Sequence, residues 1–457
     1  MANGTQTPRP PRPRSFFGPL VLIWVGVVFL LINAGYLSWG RFGWWFAHYW
    51  PLFIILWGVI KLVEYYQARR EGRPAPGIGG GGIVLLVFLI LFGMMANQAS
   101  RVNWGTLGDE MDLGDDFPVV FGTRYTYNQQ LDQSFPANGS LRVSLDRGDI
   151  KLRPGTDDKL HITVRKTVLA NSQSEADKIN STMQPMVNVS GSEVAITIAN
   201  YSRGSAMDLD IQVPRKAAAD LTTLRGSLVV GGREGDVKVH TSRGDVSVEE
   251  VTGNAEIHLR HGSVRARKVT GDVDVEGWVN DSNLSEIGGI VNLHGDFFGT
   301  MTLAKVAKSV KFKSSRTDLE MARLDGDMTM EIGDMRARGV TGPFRIVTRS
   351  KDVHLEDVSG QIKVDDNHAD VELTAAQAPT GEVEISNEHG HISVELPAKS
   401  SFQMNARTDH GDIQSDFGEL KIENADRESK ATGSVGSGGA QVRLTNSHGD
   451  ISIRKTG

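Results

Sequence analysis

Histidine is the residue type in this chain whose chemistry and spacing most clearly suggest a site. His261, His389, His410 and His448 each stand directly before a glycine, and the last three are 21 and 38 residues apart. In a repeat of about twenty residues these intervals are one and two turns, which would place the three rings along one edge, roughly 5–10 Å apart. Such a row could sense pH or hold a metal ion. Exposed turn histidines are the simpler interpretation, and we assign no metal ligand to them.

Aspartate following glycine is the second recurrent feature. Arg-Gly-Asp occurs at 147–149 and 243–245, and this tripeptide binds integrins in animal adhesion ligands. Gly-Asp also recurs without arginine, at 235–236, 271–272 and 326–327, which indicates a turn signal. Calcium-binding nonapeptide repeats carry several glycines per nine residues, whereas this chain has one, and its aspartate directly precedes valine. We therefore predict structural corner aspartates.

Catalysis on a solenoid would need acidic and basic side chains from successive rungs to meet on one face, as in polysaccharide lyases and hydrolases. Many residues could qualify, among them Arg265, Arg267, Lys268 and Asp274. No nucleophile elbow, zinc motif or P-loop accompanies them, and a solenoid shape by itself does not establish an enzyme. The sequence therefore predicts no catalytic, cofactor-binding or metal-binding residues, no cofactor and no enzymatic activity.

The element that must position these residues is a repeat, clearest in Gly244–Val275. Glycines are nine residues apart there, and pairs of apolar residues at i and i+2 share one strand face. A third apolar slot is filled by Val251 and Val269 but by Arg260 between them, so the true period is nearer eighteen than nine. Equivalent inward positions are Val246, Ala255, Val264 and Val273.

This period predicts a parallel β-solenoid with roughly 18–20 residues per rung and about 11–13 rungs over residues 226–457. Residues 119–225 have β patterning without strict repetition and are predicted to form a capping module at the start of the solenoid. A short helix is expected over Ser174–Met183, with Ser174 as its cap. Near the C-terminus, Ile451-Ser-Ile453 could form an uncapped apolar rung.

Composition excludes several classes of protein. The 457 residues include 49 basic and 55 acidic side chains, for a net charge of −6, so no basic footprint for nucleic acid exists. Cysteine is absent, which excludes disulfides and thiolate metal sites. Six of the eight tryptophans precede residue 60, which sets the N-terminal region apart from the rest.

Apolar segments at 16–36, about 45–65 and 79–96 are predicted to be three transmembrane helices. Basic residues precede the first and follow the second, whereas the loop between them has only Arg41. By the positive-inside rule, residues 1–15 form a disordered, basic, proline-rich cytoplasmic tail. Residues 97–118 form an acidic linker whose spacing does not fit an EF-hand. Three spans place the β domain outside the cytoplasmic membrane.

Two stretches resemble known families. GPLVLIWVGVVFLLINAG and WPLFIILWGVIKL, within residues 18–63, resemble the membrane region of Lia-type envelope-stress proteins. From about residue 135, the Gly-Asp-Ile/Val and Val-Thr/Ser-Gly motifs resemble the bacterial putative-adhesin β-solenoid domain. The resemblance implies a bacterial envelope protein without known catalytic residues.

We therefore expect a multi-pass protein of the bacterial cytoplasmic membrane that presents a β-solenoid extracytoplasmically for non-enzymatic binding or sensing. Its partners would be the membrane and either envelope proteins or a cell-surface polymer, with no nucleic acid. Two alternatives stay open, namely a carbohydrate-active β-helix enzyme and a scaffold that self-assembles through its end rungs.

Reporter fusions test the predicted orientation. A reporter that is active only outside the cytoplasm, fused after residue 120, should be active, because three spans follow a cytoplasmic N-terminus. Activity of a cytoplasm-only reporter at the same position would mean that the spans are miscounted.

Overall fold

The structure is a computed structural model that describes residues 123–198, 201–202, 204–425 and 427–456. It also describes eight helical, exposed residues near the N-terminus: Tyr49, Ile55, Gly58, Val59, Leu62, Tyr65, Tyr66 and Arg70. The chain divides into two compact units, Met1–Val120 and Phe121–Gly457.

The predicted membrane region falls mostly outside the described residues. The segments at 16–36 and 79–96, the tail at 1–15 and the linker at 97–118 lie wholly outside them, and six residues of 45–65 are described. Within the part of the chain that the structure describes, no helix is both long and apolar enough to cross a bilayer. The three spans stay a prediction.

The second unit is almost entirely β-structure. Its first strands are β1 (Thr123–Ser134), β2 (Ser140–Arg147), β3 (Ile150–Pro154), β4 (Lys159–Ala170), β5 (Pro185–Ser190), β6 (Glu193–Ile198), β7 (Ala206–Val213) and β8 (Ala218–Arg225), with helix α1 (Gln173–Thr182) between β4 and β5. The next are β9 (Leu228–Arg233), β10 (Val237–Arg243), β11 (Val246–Val251), β12 (Ala255–His261), β13 (Val264–Val269), β14 (Val273–Val279), β15 (Ser282–Ile287), β16 (Val291–Phe297), β17 (Met301–Val306) and β18 (Val310–Lys313).

The remaining strands continue the same alternation. They are β19 (Thr317–Met321), β20 (Leu324–Met330), β21 (Asp334–Thr341), β22 (Phe344–Thr348), β23 (Asp352–Ser359), β24 (Ile362–His368), β25 (Val371–Thr374), β26 (Val383–His389), β27 (Ile392–Pro397), β28 (Phe402–His410), β29 (Ile413–Ser415), β30 (Lys421–Glu423), β31 (Ser429–Val435), β32 (Ala440–His448) and β33 (Ile451–Thr456).

These strands form two long ladders whose inward side chains share one hydrophobic core. Ladder A has the order β1-β4-β7-β3-β9-β11-β13-β15-β17-β20-β21-β23-β25-β27-β33-β29. Ladder B runs β5-β6-β2-β8-β10-β12-β14-β16-β18-β19-β22-β24-β26-β32-β28-β31-β30. Each rung contributes one strand to each ladder, so the described part of the second unit is a two-faced solenoid.

The eighteen-residue period is confirmed in the central rungs. Val246 pairs with Val264 in ladder A, and Ala255 pairs with Val273 in ladder B, each eighteen residues on. The odd and even nonapeptides are therefore the two faces of one rung. Pairing continues across residue 225, because β8 pairs with β10; the predicted capping module at 119–225 contributes strands to both ladders.

A bulge explains why the two faces differ. Ladder A strands bury positions spaced by two and then three residues, such as Val246, Val248 and Val251. The extra residue is Glu250, whose φ of 56° is left-handed, and the same position has φ of 55–59° in the three rungs that follow, at Lys268, Glu286 and Lys305. Each such residue costs roughly 1 kcal/mol, and it turns the third apolar side chain back into the core.

One rung departs from the predicted parallel solenoid. Strands β19 and β20 run antiparallel to their neighbours on both sides. Tight turns make this reversal possible, since Ser314 N–H donates to Thr317 O at one end and Glu331 N–H donates to Asp334 O at the other. Parallel pairing resumes at β21 and β23, where Val340 meets Val358 eighteen residues on.

Both ends of the solenoid are closed by rungs out of sequence order. The pair β2/β3 lies between β6/β7 and β8/β9, and the last pair, β32/β33, lies between β26/β27 and β28/β29. The expectation that Ile451-Ser-Ile453 could form an uncapped end rung is therefore wrong. At that end the outermost strands are β29 and β30, of three residues each, and such short edges resist strand addition.

The short helix is confirmed, but its N-terminal cap lies two residues earlier than expected. The Oγ of Ser172, not of Ser174, accepts a hydrogen bond from Glu175 N at 3.3 Å. Ser172 lies three residues before Glu175, the spacing at which a cap side chain reaches the N3 amide. The Glu175 carboxylate in turn accepts from Asn171 N.

Two adjacent substitutions test the assigned faces. Val264 is 2% exposed and Arg265 is exposed, as the period predicts. Val264→Asp should lower the free energy of unfolding by about 3 kcal/mol or more, because it removes apolar burial and buries an unpaired carboxylate. Arg265→Asp should change it by less than about 0.5 kcal/mol. Equal losses in denaturant unfolding of the two variants would contradict the assignment.

Candidate functional site

Three of the four histidines singled out by the sequence, His389, His410 and His448, lie on one edge of ladder B, as predicted. Their separations differ from the prediction, because the 21 residues from His389 to His410 span two rungs and the 38 residues from His410 to His448 span one. His389, His448 and His410 stack with parallel rings whose centroids are 4.7 Å apart. His368 extends the stack, 4.7 Å from His389. The order along the edge is His368, His389, His448, His410, because β32 is inserted between β26 and β28. We call these four residues the histidine stack.

The remaining histidine of that set, His261, is not part of the stack. Its ring meets the edge of Trp278 at 5.7 Å. The fourth member, His368, was missed because alanine follows it, so the His-Gly signal is absent. Each stack residue ends its ladder B strand, and this shared corner position was the signal that could have identified it.

The corner beneath the stack is built by buried polar side chains two residues earlier in each strand. Asn387 Nδ2 donates to Ala369 O at 2.7 Å, Asn446 Nδ2 donates to Gly390 O at 2.7 Å, and Thr408 Oγ1 donates to Gly449 O at 2.9 Å. These bonds join each strand to the corner of a neighbouring rung. The exposed rings are therefore carried on a backbone with little freedom to move.

Asp366 occupies the same slot with a carboxyl group in place of an amide or hydroxyl. It is 1% exposed, and its Oδ2 has no hydrogen-bond partner. Burial raises the pKa of Asp366 to about 6, and Asp352 acts in the same direction, while the backbone amides of Asn367 and His368 oppose the shift.

The aspartates of the two Arg-Gly-Asp tripeptides and of the other Gly-Asp corners have a structural role. Asp149 Oδ1 accepts from Ser227 N at 2.8 Å, and Asp245 Oδ1 accepts from Ser263 N at 2.9 Å. Asp272 makes the same bond to Ile290 N. At the position before glycine, Arg147, Arg225, Arg243 and His261 pair in register on successive rungs. The corner carboxylates thus tie neighbouring rungs together.

The four residues considered for catalysis are not brought together. Arg265, Arg267 and Lys268 lie on β13 in ladder A, whereas Asp274 lies on β14 in ladder B. The ion-pair partners of Arg267 and Lys268 are Glu286 and Glu250, and Asp274 accepts from Asn292 Nδ2 at 2.6 Å.

Two cavities open on the described surface. One, of about 320 Å³, has Asp357 as its sole carboxylate among mostly apolar and backbone groups. The other, of about 400 Å³, is lined by Glu320, Arg345 and Lys363 together with uncharged residues. Glycoside hydrolysis in most families uses two carboxylates across the bond, and neither of these two cavities provides a pair.

Exposed aromatic side chains form a further surface feature. Trp278 is 53% exposed and Phe298 is 56% exposed, and they come from successive rungs, since Trp278 pairs with Asp296 and Phe298 N donates to Val279 O. A left-handed glycine, Gly277 with φ 134°, precedes the tryptophan. We call Trp278 and Phe298 the aromatic patch.

Replacing the buried carboxyl tests the slot beneath the stack. Asp366→Asn should raise the melting temperature at pH 7–8, because Asn387 and Asn446 already fill equivalent slots without charge. A folded pKa near 6 against an unfolded value of 3.8 means that the wild type loses up to roughly 3 kcal/mol as pH rises from about 4 to above 6.

The gain in melting temperature of Asp366→Asn should therefore vanish below about pH 4, where Asp366 of the wild type is protonated in both the folded and the unfolded state. The matched control is Asp365→Asn, on the outward side of the same strand, whose melting temperature should stay within a degree or so of wild type. A lower melting temperature for Asp366→Asn at pH 8 would show that the charged form is stabilised in the fold.

Comparison with known proteins gives a family but no activity. No curated protein sequence matches the chain. Solved structures with some likeness include a putative cell adhesion protein from Clostridium sporogenes ATCC 15579, with 9% identity over 73% of this chain and 100% of that one and a TM-score of 0.17. A putative adhesin from Bacteroides fragilis NCTC 9343 has 11% identity over 72% and 97%, with a TM-score of 0.20.

A putative lipid binding protein from Parabacteroides distasonis ATCC 8503 has 9% identity over 73% of this chain and 98% of that one, with a TM-score of 0.21. With TM-scores this low, these structures carry no argument about function. The family model described as Toastrack DUF4097 matches residues 136–454, which is most of the chain and nearly all of its β domain. The chain therefore belongs to the Toastrack DUF4097 family.

Proposed function

We propose that this protein is a non-enzymatic binding protein of the bacterial envelope, which uses the aromatic patch of its solenoid to hold a protein partner. The observation that carries the proposal is the exposure of Trp278 and Phe298 on successive rungs. Single exposed apolar residues are ordinary, but two large aromatics on neighbouring rungs of a rigid ladder can enter one partner surface together.

The chemistry of the patch suits a protein partner. Tryptophan and other aromatic residues are enriched at the centres of protein interfaces, where truncating a hot-spot side chain costs about 2 kcal/mol or more. The patch is preorganised, because backbone bonds such as Phe298 N to Val279 O at 3.0 Å fix the corner. Little ordering entropy is then lost on binding.

A binding role also accords with how the charged side chains are used. The three basic candidates for catalysis lie on a different ladder from Asp274. Lys268 is also engaged in an ion pair with Glu250 at 3.1 Å. The two cavities described above each offer one carboxylate. No observation on this surface favours the carbohydrate-active enzyme, and the inserted rung β32/β33 removes the reason to expect end-to-end assembly.

The proposal includes anchoring by the three predicted spans, with the β domain outside the cytoplasmic membrane. It is supported by the apolar segments and basic flanks of the sequence. A partner in the envelope would then be an extracytoplasmic protein or the exposed domain of another membrane protein.

Site-specific photo-crosslinking in cells tests the patch. A photoreactive amino acid at position 278 or 298 should form discrete protein adducts, because these side chains would lie inside the interface. The same amino acid at Ile332, which is 62% exposed on the turn before β21, is the matched control and should give none of those adducts.

The double variant Trp278→Ala, Phe298→Ala should lose the adduct formed from a crosslinker at a neighbouring position, with an unchanged melting temperature. Adducts that form equally from position 332, or a polysaccharide in place of a protein as the bound species, would contradict the proposal.

A further inference from the structure

We propose that the edge formed by His368, Glu388 and His389 binds one divalent transition-metal ion of the Zn²⁺ or Cu²⁺ class. One ligand atom from each of the three side chains lies within 4.8 Å of the other two. All three are exposed, so solvent can supply the remaining ligands and the ion needs no buried path.

The distances require a small closing movement. Zinc bonds to nitrogen and oxygen of about 2.0–2.2 Å place tetrahedral ligand atoms roughly 3.3–3.5 Å apart. The ligand atoms here, which lie within 4.8 Å of one another, must therefore approach by at most about 1.5 Å. Exposed side chains can make that movement by rotating about χ1 and χ2, while the backbone stays in the ladder.

Local backbone geometry brings the acid and the imidazole to the same side. Neighbouring residues in a regular strand point to opposite faces, yet Glu388 and His389 are both exposed. The strand ends there, at Gly390 with a left-handed φ of 127°. The register passes from Asp366↔Asn387 directly to His368↔His389, which places Glu388 beside the imidazole pair.

These three side chains also have ligand atoms to offer. Among the described residues, the side chains of His368, Glu388 and His389 form no hydrogen bond or ion pair. In contrast, His161, His258 and His354 each have a carboxylate near both ring nitrogens. Because those two carboxylates lie on opposite sides of the ring, they cannot share one ion.

The other end of the stack is a weaker site. Asp409 stands beside His410 as Glu388 stands beside His389, but its carboxylate is held by Arg407 at 2.9 Å. His448 is 4.7 Å from His389 and can replace His368 as second imidazole. The geometry therefore points to a single preferred ion, centred on His389.

The donor set defines the class of metal. Imidazole nitrogen suits Zn²⁺, Cu²⁺ and Ni²⁺, whereas Ca²⁺ and Mg²⁺ prefer all-oxygen sites. A metal ion binds the unprotonated ring nitrogen of each imidazole.

Zn²⁺ titration of the full-length protein in detergent, by calorimetry and by competition with a chromogenic chelator, tests the site. At pH 7.5 we expect one saturable ion that excess Ca²⁺ does not displace. His389→Ala should weaken the affinity at least tenfold, and Glu388→Gln several-fold, with melting temperatures of the metal-free protein unchanged.

The matched control is His261→Ala, because His261 also precedes a corner glycine but makes an edge contact with Trp278 and lies outside the histidine stack. The Zn²⁺ affinity of this variant should equal that of the wild type. Equal affinities for His389→Ala and wild type, or a loss in His261→Ala, would overturn the proposal. The aromatic patch lies on different rungs from the metal site. Absence of Zn²⁺ binding would therefore not affect the photo-crosslinking test of the proposed function.

Discussion

The in-register backbone pairing of successive rungs is the constraint on which this structure depends. A single rung has two short strands and one apolar face on each, and it cannot bury that face alone. Stacking at the strand spacing supplies hydrogen bonds and a shared core at once. Corner side chains then bridge the same gap, as Asp245 does to Ser263 N and Asn387 does to Ala369 O.

The same constraint accounts for the irregular parts of the fold. A stack of parallel rungs leaves two open ends, each with strand edges that could pair with other chains. Here the chain returns at both ends, so that β2/β3 and β32/β33 become interior rungs. The strand edges that remain at the two ends are protected in three ways. They are short, as in β29 and β30, they belong to strands added antiparallel, or they begin with proline, as β5 does at Pro185. The reversed rung β19/β20 shows that the core tolerates a change of strand direction provided that its apolar positions are kept.

Because the strands pair in register, residues that recur once per rung in the sequence lie in a row on the surface. A residue type repeated at a corner becomes a row with the pitch of the ladder, as with the histidine stack and with Arg147, Arg225 and Arg243. The bulge position alternates Glu250, Lys268, Glu286 and Lys305, so neighbouring rungs attract across exposed sites, although each such pair contributes little.

The sequence alone determined the period, the inward residues and the structural role of the Gly-Asp corners, because apolar alternation and turn chemistry are local. It predicted that His389, His410 and His448 share one edge, but it had the spacing wrong, because the insertion of β32 between β26 and β28 makes His410 and His448 neighbours. It did not reveal His368, the place of Glu388, the buried slot of Asp366 or the aromatic patch. Nor did it reveal the order of the end rungs, because strand insertion and reversal depend on which edges need covering. Those features follow from contacts between residues far apart in the sequence, such as His389 with His448 and Ile150 with Leu228, and only the tertiary structure decides them.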